Sequence, residues 1–190
     1  MDAPIASSPL RRLAQRLDQC EQWAAGILAR LRAEHPRLIV VSMWRVYGTG
    51  GSFDGQTGFT PYDPEWLGSL TRLVKQLRST GARVLVLGPV PDPHLVVPIC
   101  LSGHLDDVVA CTSKTSTAVN KSGIAAERSA TQAGGGQYAD LTDLFCTAER
   151  CPVIVGDTLV YADWSHITSE YSRLLAPAMA ALADRALSQP

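Results

Sequence analysis

The sequence predicts an α/β fold built around a parallel sheet, and three observations carry that prediction. Leu38-Ile39-Val40-Val41 and Arg83-Val84-Leu85-Val86-Leu87 are short apolar runs rich in Val, Ile and Leu, the pattern of strands buried on both faces. Between them, Trp66, Leu70, Leu73, Val74 and Leu77 recur at three-four spacing, which is the stripe of an amphipathic helix. Strand, helix and strand in that order form a βαβ unit with a right-handed crossover. A chain of 190 residues, 46% apolar and 18% charged, is long enough for one domain with its own core, placed over residues 8–188.

The elements follow in order. Ser8 as N-cap with Pro9 at the first helical position opens a helix whose stripe is Leu10, Leu13, Leu17, Cys20, Ala24, Ile27, Leu28 and Leu31, closed by Pro36. After the first strand, residues Gly48 to Pro61 form a Gly- and Thr-rich loop. Asp63-Pro64 then caps the second helix, and Gly81 supplies its C-terminal turn. Pro89, Pro91, Pro93 and Pro98 make an extended loop after the second strand, and Leu101 to Arg128 reads as polar and weakly helical. The triple glycine Gly134-Gly135-Gly136 stops the chain before a short edge strand within Tyr138–Leu144. Val153-Ile154-Val155 with Thr158–Tyr161 forms a small β element. Tyr171, Leu174, Leu175, Ala178 and Leu182 mark a last helix that Pro177 should kink.

Composition removes several classes of function. A net charge of −1 gives no electrostatic footprint for nucleic acid, which requires clustered Lys and Arg. The densest basic group, Arg11, Arg12, Arg16, Arg30 and Arg32, lies on the polar side of the first helix. No apolar run approaches the roughly 20 residues that span a bilayer. Met1 to Leu10 has neither a basic n-region nor an apolar h-region, so the sequence predicts no signal or anchor. The Gly48–Pro61 loop matches neither phosphate-binding glycine pattern.

The five cysteines are Cys20, Cys100, Cys111, Cys146 and Cys151. Cys100 with Cys111 and Cys146 with Cys151 would each close a short loop with little core to hold it, which points to disulfides in an oxidising compartment. Five buried thiols are the other reading. Cys20 is then left over. No spacing matches a zinc ribbon or finger, and His94 and His104, flanking Cys100, read as surface residues, so no metal site is expected.

Tyr161-Ala162-Asp163-Trp164-Ser165-His166-Ile167-Thr168 is the sharpest local feature. A carboxylate three residues before an imidazole can accept its Nδ1 proton and leave Nε2 as a general base, the orienting half of a nucleophilic triad. Spacing alone favours the simpler arrangement, a helix N-terminus capped by Asp163 or Ser165 with His166 packed beside it.

Asp163-x-x-His166 ahead of the final helix resembles the last block of the SGNH (GDSL-like) hydrolases. The resemblance is broader. Cys20-Glu21-Gln22-Trp23, the strand ending Ser42-Met43-Trp44, Gly88-Pro89-Val90-Pro91, Pro98-Ile99-Cys100, the Cys146–Cys151 loop, Tyr161 and Asp163–Thr168 are together similar to the extracytoplasmic SGNH domain fused behind bacterial acyltransferase-3 membrane proteins. The resemblance implies a flavodoxin-like three-layer fold with a parallel sheet, Asp163 as orienter and His166 as general base, and no cofactor. It also implies an acylated carbohydrate or small ester as substrate, the acyltransferase-3 membrane domain as partner in the parent protein, and an extracytoplasmic location. The family's nucleophile is a Ser in a Gly-Asp-Ser block on the first strand, and no Gly-Asp-Ser occurs in this sequence. The first strand, its helix and the second strand are therefore expected to be missing ahead of Ser8, and the odd Cys20 to pair with a cysteine there.

Ser52 in Gly50-Gly51-Ser52 is a possible substitute nucleophile, although a plain loop serine explains it more simply. Gly48-Thr49-Gly50-Gly51 could donate backbone N–H groups to an oxyanion, and Trp44 stands near where the family carries Asn. Trp164 could line an acyl pocket. The expected function is O-acyl transfer or ester hydrolysis on a cell-envelope carbohydrate. The competing readings are an inactive remnant or binding module without its Ser, and a flavodoxin-like domain of unrelated function.

Overall fold

The computed structural model describes residues 9–45 and 62–188; Ser8, the Gly48–Pro61 loop and Ser52 lie outside them. Helix α1 (Pro9–Glu34) ends where His35 takes a φ of 50° before Pro36. Strand β1 (Leu38–Val41) precedes α2 (Pro64–Arg78), capped by Asp63, whose carboxylate accepts the Trp66 N–H. Then come β2 (Arg83–Leu87), α3 (Val97–Gly103), β3 (Ser113–Lys114), α4 (Thr115–Ala118), α5 (Lys121–Ala133) and β4 (Gln137–Ala139). The chain ends with β5 (Arg150–Cys151), β6 (Ile154–Val155), β7 (Thr158–Leu159), α6 (Ser169–Leu174) and α7 (Ala176–Ser188).

The main sheet is parallel, in the order β1-β2-β4. Alternation of side chains along β2 divides the core into two layers. Val84 and Val86 pack with Trp66, Leu70, Val74 and Leu77 of α2, whereas Leu85 joins Val97, Val160, Tyr161, Tyr171 and Ala186 on the other face. Helices therefore cover both faces, as the parallel pattern predicts. Close approach of α2 and the end of α5 depends on Gly134, where a Cβ would lie 2.6 Å from the Val74 Cβ.

Several sequence expectations change. Strand β1 is an edge strand with Val40 50% exposed, because no described strand pairs with its outer side. Of the described stripe residues of α1, Leu28 and Leu31 join the α2 layer, while Leu17 remains 57% exposed; Trp23, outside the stripe, is 69% exposed. Pro98 belongs to α3 rather than to the preceding loop, since proline is tolerated in the first helical turn. The polar stretch after Leu101 resolves into α4, α5, a 3₁₀ turn and β3, ordered partly by the Cys100–Cys111 disulfide. The predicted strand within Tyr138–Leu144 is confined to β4, followed by a 3₁₀ turn over Thr142–Leu144. Pro177 does not kink a continuous helix; the break falls at Leu175, which leaves Pro177 in the first turn of α7. The second expected disulfide, Cys146–Cys151, is present, and Cys20 is free and exposed.

A buried charge holds the carboxyl end of the sheet. Arg45 donates to the carbonyls of Met43 and Leu87, just past β1 and at the end of β2. Its guanidinium also pairs with Glu127 of α5 at 2.9 Å, with Glu127 fully buried. The Tyr138 hydroxyl donates to the other Glu127 oxygen at 2.7 Å. Burial, and then the Glu127 carboxylate, push the Tyr138 phenol well above its ordinary range, so it remains a donor. Gly88 makes room for this arrangement, since a Cβ there would lie 2.8 Å from the Tyr138 hydroxyl. Removing one partner strands the other charge in a low-dielectric site, so Glu127→Gln should cost about 3–5 kcal/mol. Tyr138→Phe should cost about 1.5–3 kcal/mol. Urea unfolding of the two variants checks both the magnitudes and their order.

Candidate active site

The Asp163–His166 segment hangs from a small, rigid frame. Tyr161 and Ile167 face each other in an antiparallel bridge, and the Ala162 N–H donates to the His166 carbonyl at 2.7 Å. Thr168 closes the frame, donating its hydroxyl to the Leu159 carbonyl and accepting the Tyr171 N–H as the cap of α6. Tyr161, 1% exposed, reaches across to donate to the Pro91 carbonyl at 3.0 Å. Its burial raises the phenol pKa well above the ordinary value, which keeps it a donor. The Gly88–Pro91 segment and the Asp163–His166 turn are thereby tied together.

Within the turn, Asp163 Oδ1 accepts the backbone N–H groups of Ser165 and His166, both at 2.7 Å. Oδ2 lies 2.7 Å from His166 Nδ1. The backbone donors from His166 and Ser165 are the main cause of an Asp163 pKa lowered to about 2, with the imidazole adding to it. An ionised carboxylate only accepts, so Nδ1 must carry the proton of the neutral ring, and Nε2 keeps its lone pair. Ser165 Oγ is 3.4 Å from Nδ1, on the side that Asp163 already holds. Among the described residues, no hydroxyl is hydrogen-bonded to Nε2. The His166 side chain is 77% exposed, open to a group arriving from outside.

Trp164 and Ser165 line a cleft of about 200 Å³ with Ser42, Met43, Trp44 and the Gly88–Asp92 segment. It lies outside the carboxyl ends of β1 and β2, where parallel α/β sheets hold ligands. A larger hollow of about 520 Å³, along β4 and α7, does not touch this turn, so size alone does not locate the chemistry. The structure thus brings Asp163 and His166 together and places Trp44 and Trp164 on the adjoining cleft. Gly48–Gly51 and Ser52 lie outside the described residues. His104 Nδ1 is 3.8 and 4.0 Å from the Cys100 and Cys111 sulphurs, but these are bonded to each other and offer no thiolate to a metal. His94 pairs at the surface with Asp92, 3.4 Å away.

The Arg45–Glu127–Tyr138 support under the cleft was missed by reading the sequence. A signal existed: Glu127 falls at three-four spacing with Ile124, Ala130 and Thr131, the buried face of α5.

Asp163 also sets a pH expectation. Its pKa is below the value of about 3.9 expected in an unfolded chain, so the stabilisation it gives the turn is complete above that value and lost as pH falls through about 2. The amide resonances of Ser165 and His166 should titrate with a midpoint near 2, and Asp163→Asn should abolish that titration. A midpoint at the unfolded value would mean that the two N–H bonds do not form in solution.

Comparison with known proteins follows the same direction. The family model described as the SGNH domain fused to AT3 domains matches residues 3–181. The fold is similar to the periplasmic domain of a lipopolysaccharide acetyltransferase from Salmonella ser. Paratyphi A, with a TM-score of 0.62 at 14% identity over 83% of this chain. The chain spans 60% of the length of that structure. No curated protein matches the sequence. With the family model extending over nearly all the elements described above, the chain belongs to the SGNH domains of the type fused to AT3 domains.

Proposed function

We propose that this chain carries the acid–base half of an SGNH acyl-transfer site, acting on O-acyl esters of a cell-envelope carbohydrate. The observation that supports this most directly is the Asp163–His166 pair, with Nδ1 held 2.7 Å from the carboxylate, an exposed ring, and the neighbouring Ser165 lining the cleft at the sheet's carboxyl end. The lipopolysaccharide acetyltransferase origin of the similar structure supports the choice of substrate class. That structure's periplasmic origin, together with the two disulfides, supports an extracytoplasmic setting. Among the described residues no helix is long and apolar enough to cross a membrane, and the fused AT3 domain named in the family description is the natural membrane partner.

The sequence holds no Gly-Asp-Ser, so in this reading the nucleophilic Ser comes from a segment outside it. His166 Nε2 takes the Ser hydroxyl proton as Oγ forms a bond to the acyl carbon. The tetrahedral adduct collapses, the acyl carbon–oxygen bond to the first alcohol breaks, and that alkoxide receives the proton from the imidazolium. A second hydroxyl, from a sugar or from water, repeats the sequence in reverse and frees the Ser. Asp163 keeps the ring in the required tautomer and stabilises the transient imidazolium.

The missing Gly-Asp-Ser also favours a second reading, a non-catalytic binding module that retains the pair without using it. Hydrolysis of an activated acetyl ester separates the two. The chain alone is expected to be silent, and the chain co-expressed with the polypeptide encoded directly upstream of Met1 to turn over. Asp163→Asn in the active pair should lower kcat by about 10⁴-fold, and His166→Ala should abolish turnover. Silence of a folded pair, or turnover that survives His166→Ala, would reject the catalytic reading.

A further inference from the structure

Away from the cleft, one cluster of metal-ligand side chains stands on firm supports that the acyl chemistry does not use. Cys100 lies in α3 and His104 caps its carboxyl end, four residues on, the spacing that turns two helical side chains toward one metal ion. Cys111 ends a 3₁₀ turn over Val108–Cys111, which the Asp107 carboxylate caps by accepting the Val109 and Ala110 N–H groups. The His104 Nδ1 is 3.8 Å from the Cys100 sulphur and 4.0 Å from that of Cys111, and the three ligand atoms all lie within 4.8 Å of one another. In a tetrahedral zinc site, bonds of about 2.3 Å to sulphur and about 2.0–2.1 Å to nitrogen set neighbouring ligand atoms roughly 3.5–3.8 Å apart. His104 already stands near that distance from both sulphurs. Cys111 is buried, Cys100 half-buried and His104 exposed, so a fourth coordination position would open to water. The Cys146–Cys151 disulfide differs: the side chain beside it is Thr115, whose hydroxyl is 3.7 Å from the Cys151 sulphur, and a hydroxyl is a poor third ligand for zinc.

We infer that Cys100, His104 and Cys111 form a zinc site when their disulfide is reduced, so that bound zinc and the disulfide are alternative cross-links at one place in the fold. The inference is independent of the acyl-transfer reading. Reduction requires a protein dithiol of the thioredoxin class. Its thiolate attacks the half-buried Cys100 sulphur, since Cys111 is shielded; the S–S bond breaks, and the Cys111 sulphur leaves with the electron pair and takes up a proton. The second thiol of the reductant then displaces Cys100 and is itself oxidised to a disulfide, so two electrons and two protons pass to this chain. Zinc replaces the two thiol protons, which go to solvent. In the disulfide form Nδ1 donates to the Cys100 carbonyl at 2.9 Å. A metal at Nδ1 needs the lone pair there, so binding moves the ring proton to Nε2 and leaves the carbonyl to water. Cys111 packs in the core layer that holds Val97 and Tyr161, and the Tyr161 hydroxyl ties the Asp163–His166 turn to Pro91. Zinc would thus keep α3 fastened to that layer under conditions that break the disulfide.

Zinc alone is the probe, added to the full chain reduced with a phosphine and competed against a chromophoric chelator. The reduced chain should take up zinc in a one-to-one ratio, and the oxidised chain should bind it at least about a hundredfold more weakly, having no thiolate to offer. Cobalt in place of zinc should show thiolate charge-transfer bands and the visible bands of a tetrahedral ion. His104→Ala removes an exposed side chain and leaves both disulfides able to form. It should weaken zinc binding by more than the about 10–100-fold that loss of a supporting group outside the ligand set costs. Cys20→Ser should change nothing. Zinc binding indifferent to His104→Ala would place the metal on other thiols and overturn the inference. Equal binding by the oxidised chain, or cobalt spectra without thiolate bands, would overturn it as well. So would a reduced chain that loses its helical circular dichroism and does not regain it with zinc, because the site depends on α3 and the Val108–Cys111 turn staying in place.

Discussion

The carbonyls of Met43 and Leu87 lie in a partly buried place just past β1 and at the end of β2, where a carbonyl left without a partner costs about as much as a lost hydrogen bond. Arg45 satisfies both, and the rest of that end of the sheet follows from using a cation to do so. The charge requires Glu127, and Glu127 requires α5 to lie against the sheet with its acid facing inward. The second carboxylate oxygen requires the Tyr138 hydroxyl, and Tyr138 in turn excludes any side chain at Gly88. The segment just past β1 and residues from β2, α5 and β4 are thus held relative to one another around one ion pair. A neutral core of the same shape could be as stable, but a fully bonded charge admits fewer alternative packings. That restriction matters here because the cleft opens directly above it.

The candidate site shows a second level of the same organisation. Its two functional side chains lie on a turn, and turns are ordinarily the more mobile parts of a fold. Here the turn is bounded by the Tyr161–Ile167 bridge and by Thr168, and it is tied to the Gly88–Pro91 segment through the buried Tyr161 hydroxyl. Arg45 fixes one wall of the cleft and Tyr161 fixes the other. His166 can therefore be largely exposed and still be well oriented, because its orientation comes from Asp163 and from backbone donors.

Local features were the legible ones in the sequence. Asp63-Pro64, the two apolar runs and the Asp163-x-x-His166 turn each encode their structure within a few residues, and they were read correctly as elements. The two short-range disulfides were legible for the same reason. What failed was information about neighbours. Leu38–Val41 has the composition of a central strand but sits at an edge, since a run of Leu, Ile and Val does not record which of its sides is paired. The stripe of α1 continues for many turns, yet among its described residues Leu28 and Leu31 are the ones packed on the α2 layer. Arg45 and Glu127 are separated by 82 positions, beyond any periodicity argument, although a Glu on the apolar face of α5 was a visible anomaly.

These failures share one cause. A sequence pattern records the burial a segment is built for, and the structure records the burial this chain can provide. Where the two agree, as along α2 and β2, the element is complete. Among the described residues they disagree at Val40 of β1 and at Leu17 of α1, on two consecutive elements. The β1 edge adjoins the cleft that Trp164 and Ser165 line, so among the described residues the open side of β1 and the candidate site lie together.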